Sequence, residues 1–401
     1  METAKRARRR DDCDAPPDFS SLPPEMIGEI LLRLPAKSIA RFRSVSKLFR
    51  SLSSDRAFAK THLDLSLRSD AFPSGRTRLI VSRHNLYTVD FDSICYGCDG
   101  IRDLDAVEIH YPLKDQPNLL YMEDEDEYPD MVDPAYKRNP VPIFGSCNGL
   151  VCISPDEGAL FLFNPTTGES KRIPDLPESL GLGSRGAFGF WFDSIADDYK
   201  VVKLVRGDDV LNAIVYSLKT DSWKWVGDLR YNVGFRSCSS GVLVNGVLHW
   251  IARLREDNDR QFVVAFDTMS EQFKDMPLPD EAEDCPNCDD GDLVVGELNG
   301  RLCIGNNCFD LHDDIWVMNE YGVASSWSGI RVREDHGYMG LLCSTRNEEH
   351  ALAELDGELV LCNLGNGTSR PVVLKGLQMY EDFEVHVYVE SLVSPNSYGR
   401  A

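Results

Sequence analysis

No run of about 18 consecutive apolar residues occurs in this 401-residue chain, and the N-terminal Lys5, Arg6, Arg8, Arg9 and Arg10 have no apolar stretch behind them. The chain is therefore expected neither to cross a membrane nor to be secreted. Positive charge is also short: 42 Lys and Arg stand against 65 Asp and Glu, a formal net charge of −23. Such a molecule repels phosphate backbones, which sets nucleic acid aside as a main ligand. Cysteine is thinly spread, twelve residues with no dense framework, as expected of reduced thiols in the cytoplasm and/or nucleus. The pairs Cys95/Cys98 and Cys285/Cys288 would together offer four thiolates, but Cys98 and Cys285 lie 187 positions apart, so no metal is expected.

Catalytic motifs are missing as well. There is no Gly-x-Ser-x-Gly, no His-Glu-x-x-His and no Walker loop. Residues 181–186 match Gly-x-Gly-x-x-Gly, yet Phe188 to Phe192 reads as a strand where a dinucleotide site needs a helix. No catalytic residue and no cofactor is expected. Acidic clusters at Glu123 to Glu127 and Asp280 to Asp292 sit in Pro-containing loops without a metal motif. They read as solvated insertions, with attraction of a basic partner surface as the alternative.

What the chain does have is a globular composition, 42% hydrophobic and 27% charged, and a length suited to two or three domains, or to a small module beside a repeat array. Residues 1–19 are charged and aperiodic and read as a disordered basic tail, equally consistent with a nuclear-import signal. Helical periodicity begins at Leu22, with Met26, Ile27, Ile30, Leu31 and Leu34 on one face and Pro24 suited to a first turn. Leu34-Pro35 stops this helix. A second helical segment follows, carrying Ile39, Phe42, Val45, Leu48, Phe49 and Leu52. Residues 22–60 hold eight basic and three acidic side chains, a local +5 in an acidic chain. Apolar faces too small to bury themselves, ringed by positive charge, point to an acidic partner.

The stretch from Leu22-Pro23-Pro24-Glu25-Met26-Ile27 through Leu34-Pro35, with Arg41-Phe42-Arg43-Ser44-Val45-Ser46-Lys47 and the closing Phe58-Ala59-Lys60-Thr61-His62-Leu63, resembles the F-box of flowering-plant F-box proteins. Ser46 stands where that family usually has cysteine, and Phe49 where it usually has tryptophan. The resemblance implies binding of a Skp-type adaptor, and through it a cullin, by Leu22, Pro23, Ile27, Ile30, Leu31, Leu34, Pro35, Val45 and Phe49. It also implies a non-catalytic substrate receptor of a ubiquitin ligase acting on an unidentified protein.

Beyond residue 77 short strands and turns take over. Asn148-Gly149, Asn245-Gly246, Asn299-Gly300 and Asp356-Gly357 read as hairpin turns at spacings of 97, 54 and 57, with Asp197-Asp198 filling the double gap. A second signature, an apolar pair and then a turn-former, recurs at Leu162-Phe163-Asn164, Val215-Tyr216-Ser217, Ala265-Phe266-Asp267, Val317-Met318-Asn319 and Leu361-Cys362-Asn363, in steps of 53, 50, 52 and 44. A period near 50 with about four strands per repeat is the mark of propeller blades. Tyr87 to Asp92 adds another blade, and Val385 to Val389 is the candidate closing strand.

The expected fold is thus mainly β with a small α module: a helical F-box (20–63), a linker (64–76), a β-propeller of about six blades within a range of five to seven (77–395), and a tail (396–401). Gly145 to Val151, Asn164-Pro165-Thr166-Thr167-Gly168, Asp198 to Val202 and Asn245 to Trp250 resemble the F-box-associated domain, which is kelch-like in period. The chain lacks the Gly-Gly pair of true kelch blades. A propeller hydrolase and an adaptor-binding scaffold without ubiquitin transfer are the alternative readings.

Overall fold

The computed structural model describes residues 23–68, 77–83, 85–91, 94, 104–115, 141–156, 158–176, 186–206, 211–229, 233–234, 240–254, 260–279, 293–307, 315–333, 336, 338–345, 349–377 and 383–399. Leu22, the basic tail, both Cys-x-x-Cys pairs, the two acidic clusters and residues 181–185 lie outside the described residues.

Four helices make the N-terminal module. Pro24 opens α1 (Pro24–Leu31), and Pro35 precedes α2 (Ala36–Phe42). The second helical segment expected from periodicity is two helices. After Phe42 the chain turns, and Ser46, in extended conformation, accepts a hydrogen bond from the Leu48 amide at 3.1 Å and starts α3 (Lys47–Ser54) anew. Then α4 (Arg56–Arg68) runs through residues 64–68, which the sequence reading gives to a linker. Buried His62 on α4 lies 2.8 Å from the Leu34 carbonyl and satisfies an acceptor that the Leu34-Pro35 break leaves free.

The remainder is a six-bladed β-propeller. Blades two to six follow chain order and start at Ile143, Ala187, Val242, Leu293 and Met339. The fourth carries an extra short strand, Val233–Gly234, which pairs beside Val242–Val244 on Val247–Leu254. Blade one is assembled from both ends of the domain. Its inner strand is Glu384–Val389, pairing antiparallel with Thr77–Ser82, followed by Leu86–Asp90 and Val107–Glu108. The candidate closing strand therefore completes blade one and closes the ring. First strands of neighbouring blades pack on one another and form the hub.

Each blade is buried on both faces. In Leu150–Asp156, Leu150 and Cys152 pack toward blade three while Val151 and Ile153 pack toward blade one. Strands such as Ala159–Phe163 are accordingly apolar at every position instead of alternating. Of the six tryptophans, Trp191 and Trp250 are buried between blades three and four, Trp316 is buried and Trp225 is exposed.

Asn148-Gly149, Asn245-Gly246 and Asn299-Gly300 join first to second strands with positive φ at both residues. Two expected turns differ. Asp356-Gly357 has the same backbone but joins the second and third strands of blade six, one hairpin out of phase. Around Asp197-Asp198 only Asp197 has positive φ, and the loop spans residues 194–197. The second signature keeps phase in all five blades, always ending the third strand. The reason is visible at Asn164, Asp267 and Asn363, whose side-chain oxygens accept amide hydrogen bonds from the second and third residues that follow, at 2.8 to 3.2 Å.

Gly149 is held twice over: φ is +84°, and an added Cβ would stand 2.1 Å from Ser391 Oγ and 2.6 Å from the Val389 carbonyl. Gly300, at φ +74°, faces open space. Gly300→Ala is expected to cost about 1 kcal/mol and Gly149→Ala clearly more, roughly 3 kcal/mol, in denaturant melts. Equal losses would show that the Gly149 contact does not matter.

Glu384 begins the closing strand and accepts a hydrogen bond from the Ile143 amide at 2.8 Å. The residue is half-buried, but its carboxyl is the enclosed part, and burial pushes it up to about 7. The folded value lies above the unfolded one, so this group's stability is full below the ordinary carboxylate range and is lost as pH rises through about 7. Glu384→Gln should flatten the fall in melting temperature between pH 5 and pH 8, whereas an unaltered slope would locate the pH dependence elsewhere.

Candidate functional site

Strands in a blade alternate in direction, so the turns after first and third strands gather on one face of the ring. The helical module sits on that face. Arg43 pairs with Glu169 in the turn after Phe163 and also bonds Ser53 Oγ at 3.0 Å. Arg56 reaches Asp197 at 2.7 Å, and Lys60 reaches the same carboxylate at 3.2 Å. The strand ends flanking residues 116–140 and 280–292 lie on the opposite face.

The C-terminal segment that follows the closing strand ties ring and module together. Glu390 pairs with Arg78. Asn164, fully buried, donates through Nδ2 to the carbonyls of Ser391 at 3.1 Å and Val393 at 2.7 Å. Leu392 enters the helical core beside Ile27, Leu31, Ala36, Ile39 and Ala59. Val393 and Tyr398 join Leu63 of α4 in the cluster between blades two and three. Tyr398, which the sequence reading gives to a tail, is buried, with the Arg56 guanidinium 3.8 Å over its ring. Burial pushes the Tyr398 phenol above its ordinary value despite that cation.

This core divides the residues expected to meet an adaptor. Ile27 and Leu31 face inward, and Leu34 and Phe49 are half-buried against the same core. They hold the module together, because α1 is covered on that side by Leu392. Pro23 and Pro35 are exposed, as are Ile30 (48%) and Val45 (70%). Met26 and Leu48 are exposed apolar neighbours in sequence that the contact set leaves out. Lys37, Arg41, Lys47 and Arg50 are exposed as well. The outward surface is thus an apolar patch with basic company, suited to a partner with complementary apolar groups and negative charge.

The roles of Asn164, Asp197, Leu392 and Tyr398 at this junction escaped sequence reasoning. Asn164 was visible as a signature residue, but its grip on Ser391 and Val393 spans more than 220 positions and leaves no local pattern. Among the described residues no group of three His, Cys, Asp or Glu side chains converges to hold a metal ion, and no helix is long and apolar enough to cross a membrane. Cys147 and Cys152 are enclosed, and burial pushes the Cys147 thiol up to about 12.

Comparison with known proteins bears on this arrangement. The family model described as the F-box associated beta propeller domain matches residues 76–395, and that of the F-box domain matches residues 19–61. The chain is similar to the F-box protein CPR1 of Arabidopsis thaliana, at 30% identity over 84% of this chain and 80% of that protein. It is also similar to the F-box/kelch-repeat protein At3g23880 of the same plant, at 29% identity over 94% and 96% of the two chains. Among solved structures, a chain from a nidogen/laminin complex matches with a TM-score of 0.45 at 10% identity, over 78% of this chain and 99% of that one. That likeness is too distant to bear on function.

Leu31→Ala is expected to lower the stability of the intact chain by about 3 kcal/mol, as a buried leucine leaves a cavity, and Ile30→Ala by no more than about 0.5 kcal/mol. Chemical denaturation distinguishes them, and a costly Ile30→Ala would mean that this residue is part of the internal core.

Proposed function

The chain belongs to the F-box-associated beta propeller family and carries an F-box, and on that premise we propose that it is the substrate-recognition subunit of a Skp–cullin–F-box ubiquitin ligase. The observation that carries the reading is the outward patch of Pro23, Met26, Ile30, Pro35, Val45 and Leu48, left uncovered on a module whose other side is packed on the propeller. A Skp-type adaptor supplies the missing apolar surface, and acidic groups on it answer Lys37, Arg41, Lys47 and Arg50. The propeller then holds the substrate protein, on the face opposite the F-box where the longer connections begin and end. Kelch-like describes the period of its blades. Its work is proximity: tethering raises the effective concentration of substrate lysines near a charged ubiquitin-conjugating enzyme, and no group of this chain enters the chemistry. The reading places the protein in the cytoplasm and/or nucleus.

Co-expression of the full chain with a plant Skp-type adaptor tests this. The double variant Ile30→Asp, Val45→Asp should capture at least about tenfold less adaptor, since an unpaired charge in an apolar contact costs more than 1.4 kcal/mol. Its melting temperature should stay unchanged, because both side chains are exposed. Retained capture by a folded double variant would overturn the proposed surface.

A further inference from the structure

A cavity of about 170 Å³ lies where the F-box meets the propeller, walled by α4, by blade three with Asn148 of blade two, and by the C-terminal segment. Its apolar walls are Leu63, Val393 and three aromatic rings, Phe192, Tyr199 and Tyr398. Tyr199 stands 4.8 Å from Phe192 and 5.1 Å from Tyr398, centroid to centroid, so the rings form a continuous aromatic corner. Burial pushes the Tyr199 and Tyr398 phenols above their ordinary value, and they stay neutral hydroxyls. A cavity of about 150 Å³ in a protein core is known to accept benzene, so this one has room for a single six-membered ring with a small substituent.

The charged groups of the lining are Arg56, Lys60 and Asp64, a net +1 within a chain of net charge −23. Arg56 is fixed, with the Asp197 carboxylate at 2.7 Å, the Asp197 carbonyl at 3.0 Å and the Tyr398 ring below it. Lys60 is held less firmly. Its ammonium is 3.2 Å from Asp197 and 6.0 Å from the Phe192 ring centre, with about half of the side chain in solvent. An exposed pair of this kind contributes little, so the ammonium is free to turn to a second carboxylate at the mouth of the cavity.

We propose that this junction cavity binds a small aromatic carboxylic acid, its ring seated among Phe192, Tyr199 and Tyr398 and its carboxylate paired with Lys60. The site touches the F-box and the propeller at once, so its occupant stabilises their docked arrangement by mass action. It lies apart from the outward patch assigned to the adaptor, and binding at it requires neither adaptor nor substrate. The two readings therefore succeed or fail separately.

The test uses the full chain with Leu and Val methyl groups labelled, titrated with benzoate, phenylacetate and 3-phenylpropionate and, as a neutral control, benzyl alcohol. At least one acid should bind saturably with a dissociation constant near or below about 1 mM, a modest value for so few atoms. It should shift the methyl resonances of Leu63 and Val393 and raise the melting temperature. Lys60→Gln, a change at a half-exposed position, should weaken that acid at least about tenfold, or 1.4 kcal/mol, and leave the unliganded protein's melting temperature in place. Saturation by none of the three acids, binding that leaves Leu63 and Val393 unmoved, or equal affinity in Lys60→Gln would each overturn the proposal.

Discussion

The pairing of Glu384–Val389 with Thr77–Ser82 joins the end of the chain to the start of the propeller across some three hundred residues. Loop-closure entropy grows only with the logarithm of that length, so distance is a modest obstacle and local chemistry decides whether the ring shuts. Six residues in register supply the backbone bonds. Ser146 adds a hydrogen bond to the Val387 carbonyl, and Thr88 meets the Tyr388 hydroxyl at 2.8 Å. Without this strand blade one would lack its inner member, the hub would be missing one of six first strands, and the segment that enters the F-box would have no anchor. The placement of the helices thus depends on a contact between strands.

Much of the propeller was legible in the sequence because the signals are local. Two positive-φ residues in a row single out Asn-Gly, and an oxygen that caps the next turn selects Asn, Asp or Ser at the end of the third strand in blades two, three, four and six. The step of 44 into the last blade and the displaced Asp356-Gly357 turn have one origin. In blade six the first and second strands are joined across residues 345–349, and the tight turn sits at the next hairpin. A reading by turn type alone takes this for a repeat in step. The third-strand signature was the safer ruler, since it marks the end of the third strand in every blade after the first.

The F-box surface was legible in position but not in detail. Helix α1 carries apolar residues at Met26, Ile27, Ile30 and Leu31, adjacent pairs one turn apart, and periodicity alone cannot say which of each pair faces in. What decides is Leu392, more than 360 residues later in the chain, which seals the Ile27 and Leu31 side and leaves Met26 and Ile30 in solvent. Likewise Arg56 and Lys60 read as part of a basic field meant for a partner, whereas both turn inward to Asp197. With Arg43, which pairs with Glu169, three of the eight positive charges that make the local +5 are paired with the propeller.

The balance of forces at the junction bears on how such a receptor works. The pairs of Arg56 and Lys60 with Asp197 involve partly exposed groups that salt screens, while the Arg43–Glu169 pair is more enclosed. The apolar contacts of Leu63, Leu392, Val393 and Tyr398 are buried, and each would have to return to water for the F-box to swing away. Burial of one large apolar side chain is worth about 1.5–3 kcal/mol, so the four together outweigh the exposed pairs and hold one orientation. In a receptor with a flexible linker, linker length sets the effective concentration of bound substrate near the transferring enzyme. In the receptor proposed above, the thickness of the propeller and the seat of α4 on blades two and three would set it instead, so a change at Leu392 or Tyr398 would alter the geometry of delivery without touching either proposed binding surface.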